Sequence, residues 1–215
     1  MILGVPVLSR YDLLGKLIES AERGSVQPSK YLIVDNGGAY LPLKNGRLES
    51  NILIQRPGRN IGVAAAWNMI LRYAHERGEP VVISNDDVEF KEKTFEELCL
   101  AMKLPGIGLA NALGWALFAQ SLDATTTVGF YDENFFPAYY EDVDYERRCA
   151  LAGVRRLSPC VTEGILHAGS ATSRAMPDMS EHYEWYRQNL DYYKKKWGGE
   201  PGSEQFTVPF DGKAV

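Results

Sequence analysis

Apolar residues in the first half of the chain follow two patterns. Short unbroken apolar runs predict strands that are buried on both faces. These runs lie at residues 2–8, 31–34, 51–54 and 81–84. Stretches with apolar residues three and four positions apart predict helices. These stretches lie at residues 13–21, 61–77 and 94–104.

This alternation of short strands and helices predicts an α/β fold. Such strands form a mostly parallel central sheet whose two faces are covered by helices, a Rossmann-like three-layer α/β/α arrangement. Ligands of such sheets bind beyond the carboxyl ends of the strands. Polar segments at 35–38 and 85–87 directly follow two predicted strands. We therefore expect a ligand site at this edge of the sheet.

The second half of the chain has a different pattern. Short apolar pieces and glycines at 107–128 precede predicted helices at 139–152 and 180–197, with a predicted strand at 154–160 between them. The aromatic helix at 180–197 has three interpretations: it covers a ligand site, packs on the core, or pairs two subunits into a homodimer. Packing on the core is the default.

No linker or internal repeat divides the chain, so we expect one domain over residues 1–215. Within it we expect a nucleotide-binding half at 1–105 and an acceptor half at 106–175. Residues 176–215 form the C-terminal aromatic helix and tail.

Composition narrows the functional classes. The chain has 215 residues, 45% of them hydrophobic, and a net charge of −5 without a basic block, which argues against binding to nucleic acid. No apolar stretch approaches the roughly 20 residues that a membrane span needs. The three cysteines show no metal-binding spacing. We therefore expect a cytoplasmic protein with reduced thiols.

Two segments at predicted strand ends carry candidate ligands. Asn85, Asp86 and Asp87 follow the run at 81–84, and Mg²⁺ typically binds one or two carboxylates together with substrate phosphates. The alternative is an ordinary polar turn. Asp35, after an earlier strand, offers a hydrogen-bond acceptor for a nucleotide base or ribose, or is a turn former.

The predicted helix at 61–77 has a start that suits a phosphate. Asn60 is a natural N-cap, and the free backbone N–H groups and the positive end of the helix dipole suit a phosphate or another polar ligand. Ala64, Ala65 and Ala66 would allow close approach to the backbone. The alternative is a capped helix that packs tightly against the sheet.

Acidic and aromatic residues crowd the start of the predicted helix at 139–152. Glu141 and Asp142 follow Tyr139 and Tyr140. Acidic residues at a helix N-terminus complement the dipole, and this alone accounts for one or two of them. The dipole also lowers a carboxylate pKa, so we expect an ionised, weakly basic group that suits late proton transfer.

Two isolated residues have ordinary and functional interpretations. His167 is one of only three histidines and is either a polar surface residue or a metal ligand that complements Asp87. Trp115 is either a core residue or a face on which a sugar ring stacks.

Together these segments resemble the inverting glycosyltransferases of family 2, which have the GT-A fold. The matching segments occur in the family's order and cover residues 1 to about 175. They are VPVLSRYD at 5–12, IVDNGG at 33–38, NIGVAAAWN at 60–68, SNDDV at 84–88, GFYDENFFPAYYEDVDYERRCALAG at 129–153 and HAGS at 167–170.

The resemblance implies transfer of a sugar from a nucleotide-sugar donor to an acceptor hydroxyl, with inversion at the anomeric carbon. It implies that Asp142 is the general base and that the neighbouring Glu141 orients the acceptor or the sugar. Asp87 and His167 would ligate Mn²⁺ or Mg²⁺. Asn85 stands where many relatives carry Asp, and it brings an amide instead of a charge.

The remaining implied contacts concern donor and acceptor. The implied donor residues are Pro6, Val7, Asp35, Asn60, Gly62, Asn68, Asn85 and Asp86. The implied acceptor residues are Trp115, Tyr139 and Tyr140. Asp35 favours a UDP- or dTDP-sugar, because its carboxylate accepts from the N3–H of uracil or thymine. The acceptor hydroxyl belongs to a glycan, a lipid-linked molecule or a protein.

Two other functions remain open from the sequence. A metal-dependent nucleotidyltransferase also places acids beside phosphates, but it needs a basic, glycine-rich loop that VPVLSRYD lacks. A catalytically silent nucleotide-sugar or glycan-binding module is the third interpretation, and the intact set of Asp87, Asp142 and His167 argues against it.

Overall fold

The computed structural model describes residues 1–41, 43–44, 47–48, 50–162, 164–167 and 180–213. The strands are β1 (Ile2–Val7), β2 (Lys30–Asp35), β3 (Leu43–Lys44), β4 (Arg47–Leu48), β5 (Ile52–Gln55), β6 (Val81–Ser84), β7 (Val88–Glu89), β8 (Ile107–Leu113), β9 (Leu117–Gln120), β10 (Arg155–Leu157) and β11 (Leu166–His167). The helices are α1 (Tyr11–Glu22), α2 (Gly62–His75), α3 (Thr94–Ala101), α4 (Leu122–Val128), α5 (Glu141–Leu151) and α6 (Ser180–Trp197), followed by a 3₁₀ helix at Pro209–Gly212.

Seven strands form the central sheet, in the order β10-β8-β9-β6-β1-β2-β5. Strands β6, β1, β2 and β5 run parallel, and β10 is parallel to β8. Strand β9 is antiparallel to both of its neighbours. The predicted α/β class with a mostly parallel sheet is confirmed, and both halves of the chain contribute strands to it.

Alternate strand residues point to opposite faces of this sheet, and each face carries its own hydrophobic core. Leu3 and Val5 of β1 pack on the side of α1 and α3. Ile2 packs on the other side, where α2 and Tyr145 of α5 lie. The continuous apolar runs of the sequence therefore reflect strands that are covered twice.

Most predicted elements are present with small shifts at their ends. Residues 81–84 and 180–197 match their strand and helix, while the helix predicted at 94–104 ends at 101. The helix predicted at 139–152 begins only at 141, because the two preceding tyrosines have left-handed backbone conformations. Within the described residues, no helix has the length and apolar character that crossing a membrane requires.

A buried ionic cluster attaches α6 to α5. Asp144 is 0% exposed, and its Oδ1 lies 2.6 Å from Lys196 Nζ and 2.9 Å from Trp197 Nε1. Its Oδ2 accepts from Arg148 Nε at 2.9 Å. Lys196 also contacts Asp132 at 2.7 Å. Because a buried charge is costly without partners, this cluster fixes the last turn of α6 against α5.

We expect Lys196→Met to destabilise the fold by about 3–5 kcal/mol, because it leaves the buried Asp144 and the partly buried Asp132 without their shared cation. Urea denaturation would measure this loss. The matched control is Lys195→Met on the adjacent, exposed position, for which we expect less than about 0.5 kcal/mol. A loss below 1 kcal/mol for the Lys196 variant would contradict the role given to the cluster.

Candidate active site

A cavity of about 860 Å³ opens beside the N-terminus of α5. This volume lies in the range of pockets that hold small ligands and cofactors. Its wall includes these residues singled out from the sequence: Asn85, Trp115, Tyr139, Tyr140, Glu141, Asp142 and His167. Most of the remaining wall is apolar and includes Val63, Trp67, Leu113, Ala138, Val143, Tyr186 and Pro201. One space therefore joins the end of β6, the start of α5, β11 and the middle of α6.

The backbone that leads into α5 is strained. Tyr139 and Tyr140 have φ angles of 81° and 72°, in the left-handed region that residues other than glycine rarely adopt. Such residues cost about 1–3 kcal/mol each and cluster at functional sites. Tyr140 directly precedes the first helical residue, Glu141. The strained turn thus sets the direction in which α5 and its first carboxyl groups leave the loop.

Glu141 is buried in the cavity wall and is only 6% exposed. Burial and the neighbouring Asp142 carboxylate raise the pKa of Glu141 to about 8. Its Oε2 has no hydrogen-bond partner among the described residues. Glu141 is therefore protonated at neutral pH, and it keeps one polar atom available for a ligand.

Asp142 lines the same cavity, and burial raises its pKa above the usual range for a carboxyl group. Hydrogen bonds from the backbone, including the Val143 N–H at 2.8 Å from Oδ1, offset only part of this effect. The expectation that the helix N-terminus lowers this pKa is wrong, because the lost hydration outweighs the dipole. A higher pKa makes Asp142 a stronger proton acceptor.

The two predicted metal ligands meet in the structure. Strand β11 pairs antiparallel with β7, which places His167 opposite Val88. As a result His167 Nε2 lies 3.0 Å from Asp87 Oδ1. His167 also lines the cavity with Asp142. Of the segment HAGS, residues 168–170 lie outside the described residues.

Asn85 and Asp86, the other two residues of the predicted acidic turn, lie in different environments. Asn85 lines the cavity, and its backbone N–H donates to Ala116 O at 2.8 Å. Asp86 is 7% exposed, and burial together with the Asp87 carboxylate raises its pKa to about 7. The turn after β6 therefore contributes a neutral amide to the cavity.

Two tryptophans form an aromatic wall of the cavity. Trp67 and Trp115 stack with ring centroids 6.3 Å apart, and Trp115 Nε1 donates to Glu146 at 3.4 Å. Trp67 is 3% exposed, yet its Nε1 has no hydrogen-bond partner among the described residues. A buried donor without a partner is costly, so this atom is a second candidate contact for a ligand.

Asp35 has a different environment from the one expected. Its Oδ1 accepts from the Tyr11 hydroxyl at 2.9 Å and the Gly38 N–H at 2.8 Å. Its Oδ2 accepts from the Tyr40 N–H at 2.9 Å and Arg56 Nε at 3.3 Å. Four hydrogen bonds use the accepting capacity of the carboxylate. Direct contact between Asp35 and a base or ribose therefore does not fit this conformation, in which Asp35 shapes the loop after β2.

The start of α2 also departs from the prediction. The structure places Ile61 at the cap position, while the Asn60 side chain accepts from the Gly62 N–H at 2.9 Å. The next N–H, of Val63, donates to Pro137 O at 2.8 Å. These donors are thus occupied within the chain. Asn60 lines a separate groove of about 460 Å³ with Arg59 and other residues.

Gly62 is required at this junction for two reasons. Its φ is 82°, and a Cβ atom would lie 2.8 Å from Pro137 O. The loop that precedes α5 therefore occupies the space beside Gly62. This contact joins α2 to the strained turn.

Asn68 is a structural residue in this conformation. It is 1% exposed, its Nδ2 donates to Tyr131 O and Glu133 Oε1, and its Oδ1 accepts from the Tyr131 N–H. Its amide is used internally, and the support of a donor by Asn68 stays a prediction. Pro6 and Val7 lie at the carboxyl end of β1, as the sequence indicated.

Other residues of the site were not identified from the sequence. Trp67 and Tyr186 line the cavity, and α6 therefore both covers the cavity and packs on the core through Tyr193 and Trp197. Two of the three interpretations of α6, that it covers a ligand site and that it packs on the core, therefore apply at the same time. Trp67 could have been identified because it lies within the matching segment NIGVAAAWN. Tyr186 had no such signal, since it is one of many aromatic residues in α6.

Comparison with solved structures identifies the fold. The chain superposes on a mannosyltransferase from Pyrobaculum calidifontis in complex with GDP-Man and Mn²⁺, with a TM-score of 0.59 and 15% identity over 74% of this chain. It superposes on S. aureus TarS 1-349 in complex with UDP-GlcNAc with a TM-score of 0.61 and 13% identity over 88% of this chain. The chain therefore has a GT-A-like fold, as these glycosyltransferases do.

The sequence comparisons are narrower. No family model matches the chain. A segment of 41 residues is 54% identical to a galactofuranosyl glycosyltransferase from Leishmania donovani and covers 19% of this chain. The chain spans 9% of that protein, 54% of the mannosyltransferase and 65% of TarS 1-349.

The raised pKa of Glu141 predicts a pH-dependent stability. The folded chain keeps the proton up to about pH 8, whereas the unfolded chain releases it near the ordinary value of 4.5. The Glu141 contribution to stability is therefore full below pH 4.5 and is lost as the pH rises towards 8. Glu141→Gln carries no titrating proton, so we expect its stability relative to the wild type to rise across this window.

Urea denaturation of both proteins at pH 5, 6, 7 and 8 would measure this difference. Other titrating groups are common to the two proteins and largely cancel. Parallel curves of unfolding free energy against pH would contradict the assigned ionisation of Glu141.

Proposed function

We propose that the chain is an inverting glycosyltransferase of family 2, which moves a sugar from a nucleotide-sugar donor to an acceptor hydroxyl. The single observation that carries this proposal is the shared cavity. Asp142 and His167 both line it, and Asp87 contacts His167 at 3.0 Å. A basic carboxylate and one member of a candidate metal pair thus border one space, and the other member, Asp87, lies behind His167 in the wall of a neighbouring pocket. The GT-A-like fold supports the same function.

The residues at β7 and β11 fit a divalent cation such as Mn²⁺ or Mg²⁺. Asp87 offers a carboxylate oxygen and His167 an imidazole nitrogen, and the two atoms already lie 3.0 Å apart. The described residues contain no group of three or more metal-binding side chains. Two protein ligands suit a cation whose remaining ligands are water and substrate phosphates. Such an ion would offset the charge that develops on the departing diphosphate.

Asp142 acts as the general base in this proposal. Its carboxylate accepts the proton of the acceptor hydroxyl as that oxygen forms a bond to the anomeric carbon. The bond between that carbon and the diphosphate oxygen breaks on the opposite side, and its electron pair leaves with the diphosphate. A single displacement inverts the configuration and needs no covalent intermediate. Holding the two reactants in line supplies much of the rate.

Glu141 orients a sugar hydroxyl in the same cavity. In its protonated form it donates a hydrogen bond without competing with Asp142 for the acceptor proton. Trp67, which also lines the cavity, supplies a second donor through its Nε1. Both atoms lack partners among the described residues.

The aromatic part of the wall suits an acceptor, and we assign Trp115, Tyr139 and Tyr140 to it. Aromatic faces bind the apolar face of a sugar ring, while the tyrosine hydroxyls contact polar groups. We also propose that residues 1–105 bind the donor nucleotide and residues 106–175 the acceptor. A glycan, a lipid-linked molecule or a protein would supply the hydroxyl.

In this proposal the donor is a sugar attached to a nucleoside diphosphate, and the ligands of two structural neighbours support it. The two neighbours described above were solved with GDP-Man and with UDP-GlcNAc. The sequence favoured a UDP- or dTDP-sugar because of Asp35. The Asp35 carboxylate is now accounted for within the chain, so the donor panel must include guanosine diphosphates.

The free thiols Cys99, Cys149 and Cys160 favour action in the reducing cytoplasm.

Nucleotide binding should depend on the metal. We expect one nucleoside diphosphate among UDP, dTDP, GDP and CDP to raise the melting temperature more with Mn²⁺ than without, because a ligand of the folded state stabilises it. Differential scanning fluorimetry would measure the shift, and Asp87→Asn should abolish the metal-dependent part. No shift with any of the four nucleotides would contradict the proposed donor site.

Removal of the base should separate binding from turnover. We expect Asp142→Asn to keep the nucleotide-induced shift and to lower turnover of a nucleotide-sugar panel at least about 100-fold, since proton transfer contributes 10²–10⁴-fold. Release of the nucleoside diphosphate would be measured. Asp123→Asn on the exposed side of α4 is the matched control and should be near wild type. Near-normal turnover in the Asp142 variant would contradict the assignment of Asp142 as the general base. A wild type that binds nucleotides without turnover would favour the nucleotide-sugar-binding module.

A further inference from the structure

The strained turn before α5 is held from a second element that lies outside the segments of the family resemblance. Asn189 of α6 is 3% exposed. Its Nδ2 donates to Ala138 O at 2.7 Å and to Tyr139 O at 3.2 Å, with Phe136 O at 3.4 Å. One buried amide therefore contacts the carbonyl oxygens on both sides of the first left-handed residue.

Other contacts of α6 act on the same turn. The Tyr139 hydroxyl lies 2.8 Å from Nδ1 of His182, which is about two turns before Asn189 on the same face of α6. The Tyr140 ring lies 5.1 Å from the ring of Tyr186 and 5.8 Å from that of Tyr193. These contacts fix side chains, whereas Asn189 alone among them binds the backbone of the turn.

The opposite side of the loop is fixed by α2, through the Val63 N–H and Pro137 O at 2.8 Å. The turn is thus held between two helices. Left-handed tyrosines persist only where the surrounding structure imposes them. Carbonyl groups that are held in place restrict the ψ angle of Ala138 and Tyr139, and hence the direction of the chain into Glu141.

We propose that Asn189 is a positioning residue, which holds the turn at residues 138–140 so that the carboxyl groups of Glu141 and Asp142 face the cavity. It lies outside the cavity wall and acts through the backbone. This inference rests on the proposed function for its kinetic consequence. The inference gives α6 a role in positioning the site. The sequence motifs of the family resemblance assign no such role to this helix.

Asn189→Leu tests the proposal, because it removes the donor and keeps the number and branching of the side-chain heavy atoms. We expect nucleotide-sugar turnover to fall at least about 10-fold in kcat with the donor KM within about 3-fold, since a misplaced group costs rate more than binding. Gln188→Ala, which removes the adjacent but exposed amide, is the matched control and should stay within about 2-fold of the wild type.

Hydrogen exchange provides a readout that does not depend on turnover. The Asp144 N–H donates to Tyr140 O at 2.9 Å in the first turn of α5, and the Ala152 N–H donates to Arg148 O at 3.0 Å at its far end. In Asn189→Leu we expect exchange at Asp144 to be at least about 10-fold faster and exchange at Ala152 to be unchanged. A wild type without turnover would end the proposed function, and this exchange result would still decide whether Asn189 holds the turn.

Several outcomes would overturn the proposal. A folded Asn189→Leu variant with kcat within 2-fold of the wild type would do so, as would unchanged exchange at Asp144. Asn189→Ala, which adds no bulk, is the second variant if the leucine variant does not fold. Loss of the folded state in both would make Asn189 a requirement of the whole fold and would also reject the specific role.

Discussion

The site depends on the buried contact between Asp144 and Lys196. This ion pair, with Arg148 and Trp197 around it, attaches α6 to the helix that carries Glu141 and Asp142. A charge buried this completely is tolerated only because its oxygens are all engaged by donors. The same attachment places Tyr186 in the cavity wall. Packing energy at the last turn of α6 is thereby coupled to the shape of the site at the middle of the helix.

Burial also decides the electrostatics of the two adjacent carboxyl groups. A helix N-terminus stabilises the ionised form of a carboxyl group, and in an exposed helix this effect would dominate. In the cavity the cost of desolvation is larger, so both pKa values are raised. Glu141 is protonated at neutral pH and Asp142 has a pKa above its usual range, and these two states suit two different tasks in one site.

Most of the fold could be predicted from the sequence, because it depends on local patterns. Continuous apolar runs identified the parallel strands of the first half, and period and glycine placement identified the helices. The antiparallel strand β9 and the short strands β7 and β11 were not predicted. Strand β9 lies in a stretch of short apolar pieces and glycines without a clear period, and β7 and β11 pair with each other across a long stretch of chain. The cavity residues were predicted where an acidic or aromatic motif marked them. The internal hydrogen bonds of Asp35, Asn60 and Asn68 could not be predicted, because sequence cannot show that a polar group already has partners within the chain. Asn189 escaped notice because its partners are carbonyl oxygens, which every residue has.

The buried ionic cluster has a consequence for how substitutions in this chain would be classified. None of Asp144, Lys196 and Trp197 is among the residues that line the cavity. Changes at these three positions would nevertheless move or release α6, and an activity screen would score them beside true contact residues. Stability measurements made in parallel would separate the two groups, because a contact residue can lose function while the melting curve stays in place.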